Sequence, residues 1–404
     1  MAAPTVPVDR RSAAVGTGVL IALRIAYAYN WFDVGPGLLG VSAEFGVPAA
    51  DWGILLASFL VGAGLGQVPA GLLARRYGPR RIALAGVLLL GLAGLAAAAA
   101  PTFGLLVAAR GVGGVGAALF FSPAIGLVGD LQPASRRGLI VGVFSSAFSA
   151  GAALGVFASA ILVPEIGWRG ALALGGALLL AVTLVALPTV PRTAADAGGP
   201  PLSAPTRALR SRAVWSIGLA FIGLEGASLS AGQYFVPFAQ TVHGWAPTVA
   251  GAVASLFVFP SFFGGPVGGA LTQRSRRRRT QMVVATAIPG ALLLLVPTAD
   301  LAVAALTATI FSLSYGAVYA MMYVLAPFLP DIPANEVPLA IGLFNAIQIA
   351  GGAAITVLFA VLIDVAGYST AWAALAVVTV APLVLLLGVP ATGPRPTPVV
   401  ASGS

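Results

Sequence analysis

Three charged side chains stand inside long apolar runs of this sequence: Arg24, Arg110 and Glu225. An arginine in hydrocarbon can hold an anion, and a carboxylate there is cheaper neutral than ionised, so it can take up and release a proton. Helical spacing puts Arg24, Tyr27 and Trp31 on one face, at i, i+3 and i+7, a cation backed by aromatic walls. Glu225 shares its face with Ser228 and Gly232, and Arg110 shares its side with Gly113, Gly114 and Ala117, small enough for close helix contact. Each charge also has a plainer reading. Arg24 and Glu225 can form a permanent ion pair that locks helices, and Arg110 can serve packing alone. Tyr315, Tyr319 and Tyr323 recur every four residues, a stripe that fits packing or hydrogen bonding to a solute. Asn345 and Gln348, at i and i+3, are amides in hydrocarbon that need partners.

Other chemistry finds little support. The chain has no cysteine and one histidine, His243, so no thiolate site or metal cluster is expected, and no cofactor. No hydrolase elbow or phosphate loop occurs, and "GVGGVG" (111–116) lies within a helical run rather than between strand and helix. An enzyme is therefore not expected. Asp33, His243 and Asp364 lie near the ends of their runs, where contact with water accounts for them.

The elements that hold these residues are long apolar helices. Of 404 residues 59% are hydrophobic and 8% charged. A soluble domain needs roughly a quarter of its residues charged, so most of this surface must face lipid. Runs of ~20 or more apolar residues cross a bilayer, and the sequence predicts twelve: 14–40, 51–74, 82–100, 102–128, 138–163, 170–189, 213–240, 246–272, 281–299, 301–327, 338–364 and 369–390. They divide into an N-tail (1–13), a six-helix bundle (14–189), a Pro-, Gly- and Ser-containing linker (190–212), a second six-helix bundle (213–390) and a C-tail (391–404). The fold class expected is an all-α polytopic membrane protein of two six-helix bundles. The first run is too long and too interrupted by polar residues for a cleaved leader.

All 21 Lys+Arg residues are arginine, and 18 lie in the tails and in the gaps after helices 2, 4, 6 and 8. Positive charge is retained in the cytoplasm, so both termini are expected there, the protein crossing the cytoplasmic membrane many times. Arginines confined to short gaps do not make the exposed basic face of a nucleic-acid reader, and no such partner is expected.

The two halves repeat. Gly46, Gly53 and Gly71 correspond to Gly244, Gly251 and Gly269 at an offset of 198, and Gly167-Trp168 falls on Gly367-Tyr368 at 200. Parallel repeats of six helices related by an axis along the membrane normal follow. The stretch "GLLARRYGPRR" (71–81) resembles the signature between helices 2 and 3 of the major facilitator superfamily of secondary transporters. Gly71, Leu73, Ala74, Arg76, Gly78, Arg80 and Arg81 fit it. Arg75 stands at the signature's aspartate, and Gln273 at that position in the second copy. In that family the acid helps latch the outward-facing state. "ARGVGGVGAA" (109–118) resembles the helix 4 signature, with Arg110 as its arginine, and "GWRGA" (167–171) the start of helix 6. The glycine–proline pair usual in helix 5 of drug exporters is missing from "FSAGAALGVF".

The resemblance implies that helices 1, 4, 7 and 10 line a central cavity. It thereby turns Arg24, Tyr27, Trp31, Arg110, Ser228, Tyr315 and Tyr319 towards a solute, with Asn345 and Gln348 beside them. It makes 71–81, with Arg75, Arg76, Gly78, Arg80 and Arg81, the gating motif, while low dielectric around its carboxylate makes Glu225 the best proton-coupling candidate in the sequence. The reading is a monomeric secondary transporter of a small organic anion, driven by proton symport. A proton-coupled exporter of drugs or metabolites is the alternative, and an integral membrane enzyme or non-transporting receptor the reading outside transport.

Overall fold

A computed structural model describes residues 9–193, 207–274, 278–325, 329, 332 and 336–388. The expected C-tail, most of the linker and most of "PDIPANEVP" (330–338) lie outside these residues.

Every regular element among the described residues is helical. The first half comprises α1 (Arg10–Phe32), α2 (Leu38–Phe45), α3 (Ala49–Tyr77), α4 (Pro79–Ala98), α5 (Phe103–Asp130) and α6 (Ala134–Thr189). The second comprises α7 (Arg207–Arg210), α8 (Arg212–Ala220), α9 (Ile222–His243), α10 (Pro247–Leu256), α11 (Ser261–Arg274), α12 (Arg278–Leu292), α13 (Leu301–Leu325) and α14 (Val337–Val380). Ten apolar helical spans are long enough to cross a bilayer among the described residues. Two of them, α6 and α14, are each long enough for two crossings at 1.5 Å per residue. Both break once, at Gly167 (φ 70°) and at Gly367 (φ 79°). Twelve crossings result, in two bundles of six related by a pseudo-twofold axis.

The repeat is visible in the backbone. Gly46 and Gly244 end the first crossing of each half in the left-handed region, at φ 66° and 65°. Gly167 and Gly367 turn the chain between the fifth and sixth. Side chains with a Cβ rarely adopt such angles, so these glycines are required by the hairpins they form. Gly78 (φ 94°) does the same within the arginine-rich turn, and Pro79 opens α4 behind it.

The first crossing differs from the continuous helix expected over 14–40. It breaks after Phe32 into a 3-10 turn, Gly35–Gly37, before α2 resumes. Pro36 lacks an N–H and cannot extend α1, while Gly35 and Gly37 allow close approach of Gln233 and Trp168. The start of α1 is capped by Asp9, whose carboxylate accepts from the amides of Arg11 and Ser12.

The bundles meet along a seam that closes at one face only. On the side away from the arginine-rich turns, Gln233 Nε2 donates to the Trp31 carbonyl at 2.6 Å, and Trp52 stacks on Tyr234 with centroids 6.3 Å apart. Gly53 lies against Val357 and Ala360, and Gly251 against Ala160. At mid-depth the Ser149 and Ser261 hydroxyls share a hydrogen bond of 2.7 Å, and Gly64 touches Ile349. Beyond that level the same faces lose their partners. Val68 is 72% exposed, and Gly71, Gly138, Gly142 and Gly342 have nothing within reach of an added Cβ. The bundles therefore part towards the arginine-rich face.

Candidate functional site

Arg24 is buried (6% exposed) in the middle of the first crossing. Its guanidinium carbon lies 4.4 Å from the Phe121 ring centroid, 4.8 Å from Tyr27 and from Phe148, and 5.6 Å from Phe144. The rings come from α1, α5 and α6, so three crossings build one aromatic cage. Trp31 extends it, edge-on to Phe59 at 4.9 Å and to Phe148 at 5.5 Å. Cation–π attraction of this kind favours a desolvated guanidinium by up to about 2 kcal/mol a ring, yet it satisfies none of the N–H donors. Arg24 Nε and Nη1 are buried without a hydrogen-bond partner, and no carboxylate pairs with Arg24 among the described residues. The arrangement is a positive charge with donors in reserve.

The opposite wall carries Glu225. Its Oε2 accepts from the Tyr315 hydroxyl at 2.7 Å. Tyr315, Tyr319 and Tyr323 follow one another along α13 with centroids 5.8 and 4.6 Å apart, and the Tyr319 hydroxyl donates to Asn345 Oδ1 at 3.1 Å. Gly352 makes room for the carboxyl arm, since a Cβ there would stand 3.2 Å from Glu225 Cγ. Ser228 is buried one turn further along α9. Gln348 Nε2 contacts the Met322 sulfur at 3.3 Å, and its Oε1 has no partner. The permanent Arg24–Glu225 ion pair considered above is not formed. Arg24 stands on α1 and Glu225 on α9, one in each bundle.

Arg110 lies elsewhere. Its Nη1 contacts Asp33 Oδ1 at 3.4 Å and donates to the Asn30 carbonyl at 3.0 Å, while the guanidinium packs 4.6 Å from the Phe59 ring. Both side chains are almost fully buried. Asp33 is nine residues past Arg24, roughly 13 Å along the helix, so Arg110 does not join the Arg24 cage. Nor does Asp33 reach water as expected: it is 2% exposed. The break after Phe32 explains this. It turns the last residues of the crossing inward beneath the turn that sequence spacing alone would have continued as helix.

In the arginine-rich turn, Arg80 donates to the carbonyls of Leu187 and Val190, tying the start of α4 to the end of α6 within one bundle. Arg76 packs on Tyr77 at 5.2 Å, and Arg75 stands at the solvent end of α3. The "GVGGVG" glycines pack helices. Gly114 abuts the Phe59 backbone, and Gly116 abuts Gly86 and Leu90. At the closed face, Arg169 holds Glu44 at 2.6 Å and the carbonyls of Ala98 and Ala100, fastening three turns of the first bundle.

The sequence matches the Major Facilitator Superfamily profile over residues 20–331. The chain belongs to the Major Facilitator Superfamily. It is a multi-pass membrane transporter of that family. A bacterial homologue of the human lysosomal transporter Spinster, in an inward-facing and occupied conformation, superposes with a TM-score of 0.69 at 19% identity, covering 92% of this chain and 95% of that one. The D-xylose-proton symporter gives 0.71 at 16% identity, covering 93% and 98%. Among curated relatives, the 4-hydroxybenzoate transporter PcaK of Pseudomonas aeruginosa is 33% identical over 154 residues, 38% of this chain and 34% of the relative. The chloramphenicol resistance protein of Streptomyces lividans is 29% identical over 253 residues, 62% and 63% respectively. The chain thus spans about a third of the length of the first and under two thirds of the second.

The cage rings Phe121, Phe144 and Phe148 were not singled out from sequence. Phe144 and Phe148 are spaced i, i+4, and that pair was the available signal. The Asp33–Arg110 contact, 77 residues apart, had no local signal.

Proposed function

We propose that this transporter carries a small organic anion with one proton, by alternating access, and that Arg24 and Glu225 are the two ends of its site. The observation that carries the reading is Arg24: buried, caged by four rings and without a carboxylate partner among the described residues. A carboxylate entering the cavity would take the free N–H donors in a charge-assisted pair, and an aromatic body would find rings on every side. An aromatic monocarboxylate suits both needs. The similarity to a 4-hydroxybenzoate transporter supports the same class.

Charge counting supplies the coupling. With Arg24 positive and Glu225 negative, the empty site is neutral; with anion and proton both bound, it is neutral again. Anion alone leaves a net negative site, proton alone a net positive one. An uncompensated charge must be carried through low dielectric when the bundles rock, which is costly. Only the empty and doubly loaded forms cross readily, and that is 1:1 symport. The buried Asp33–Arg110 pair is a second place where a proton could be held.

With the arginine-rich face cytoplasmic, both termini are inside, the linker is cytoplasmic and the parted seam makes this the inward-facing state. The bundles 14–189 and 213–390 rock as units against the closed outer contacts, with no partner beyond solute, proton and lipid. The turn at 71–81 then works through Arg80 and its carbonyls rather than through an acid at position 75.

The test is accumulation of labelled benzoate in proteoliposomes under an imposed pH gradient. Uptake that collapses with the gradient supports the proposal, and none overturns it. The match to a chloramphenicol resistance protein favours drug export as a second reading. Resistance conferred on a sensitive host, with no benzoate flux, would decide for it.

A further inference from the structure

Away from the central site, a cleft of about 600 Å³ opens sideways between α11, α12 and α13. Its walls are mostly apolar, Leu271 and Val284 among them, with Gln281 and Ser314 as polar points. It runs from Gly264, near mid-depth, to the arginine-rich end of α11, roughly 10 Å along that helix. In the first bundle the equivalent helices pack directly on one another. There Gly86 and Gly116 bring α4 and α5 into backbone contact. At the repeat offset of 198 these two positions are Val284 and Ser314, both lining the cleft. Larger side chains at the two glycine positions hold α12 away from α13.

The mouth of the cleft is basic. Arg278 and Arg279 occupy the first turn of α12, directly before Thr280 and Gln281. Arg279 is exposed, and Arg278, one turn before Gln281, reaches across to the Thr272 carbonyl of α11 at 3.0 Å. Just inside, the Gln281 side-chain oxygen is buried without a hydrogen-bond partner. Apolar depth, a cationic rim at headgroup level and an unused acceptor between them match one ligand chemistry.

We propose that this cleft binds an anionic glycerophospholipid of the arginine-rich leaflet. One acyl chain lies between α12 and α13, the phosphate sits at the Arg278–Arg279 turn, and a headgroup or water-borne hydroxyl donates to Gln281. Ser314 precedes Tyr315, the residue that holds Glu225, so the lipid backs the outer side of the helix whose inner side carries the tyrosine ladder.

Native mass spectrometry of the purified protein, titrated with phosphatidylglycerol and separately with phosphatidylcholine, tests the proposal. Wild type should retain one phosphatidylglycerol in preference to phosphatidylcholine. Arg279→Gln should weaken that retention about fivefold, the worth of one arginine at an anionic surface, and Val284→Trp, which fills the cleft from a lipid-exposed position, should abolish it. Val284→Phe serves if the tryptophan variant does not fold, and unchanged melting in detergent reports that either variant is intact. Equal retention of both lipids, or full phosphatidylglycerol retention by an intact Val284 variant, overturns it.

Discussion

Arg24 and Glu225 are each held by neighbours that leave part of their chemistry unused. Arg24 has rings on four sides but two donor nitrogens free, and Glu225 has one oxygen engaged by Tyr315. Charge counting makes a specific prediction for Glu225→Gln. Its empty site is permanently positive, so the empty carrier cannot return, while the anion-loaded site stays neutral. The variant should exchange benzoate across proteoliposome membranes at near wild-type rate yet fail to accumulate it under a pH gradient. Normal accumulation with an unchanged pH profile would remove Glu225 from the coupling role. Arg110 behaves differently. Arg110→Ala leaves Asp33 buried without its partner, at a cost of about 3–5 kcal/mol, and should lower the melting temperature sharply. Arg24→Ala, which strands no acid, should not. At this scale the sequence carried Arg24 and Glu225 clearly, because a charge in an apolar run has few explanations. It could not carry the Asp33–Arg110 pair, which depends on where the first crossing breaks.

Elements show the repeat most directly. Positive-φ glycines sit at matched places in both halves, and the sequence showed them as glycines recurring at offsets of 198 and 200. Gly167→Ala should cost about 1–3 kcal/mol, because its positive φ with extended ψ is a region open essentially to glycine alone, and Gly367→Ala a similar amount. Thermal melts of the two variants should therefore shift alike, whereas Gly126→Ala, a helical glycine with open space around it, should melt at or above wild type. Helix number and order were legible because runs of ~20 apolar residues have one use in a bilayer. The break at Gly35–Gly37 was not. Pro36 in that stretch can end a helix or kink it, and the contacts of Gly35 with Gln233 and Gly37 with Trp168 decide the outcome.

For the whole molecule, alternating access requires that the closed face open. Gly53 lies where α3 meets α14, and an added Cβ there would stand 2.8 Å from the Val357 Cα and 3.0 Å from the Ala360 Cβ, closer than packed atoms allow. Gly53→Leu should therefore keep this face from closing again and stop benzoate transport, whereas Gly71→Leu, with open space around it, should transport like wild type. Undiminished transport by Gly53→Leu would mean that this contact need not form. The most direct test of the account is calorimetric titration of benzoate into purified wild type and Arg24→Ala. A caged cation that anchors a carboxylate predicts loss of roughly 10- to 100-fold in affinity on removing its charge-assisted hydrogen bonds, in a variant that still melts like wild type. Equal affinity in the two proteins would contradict it.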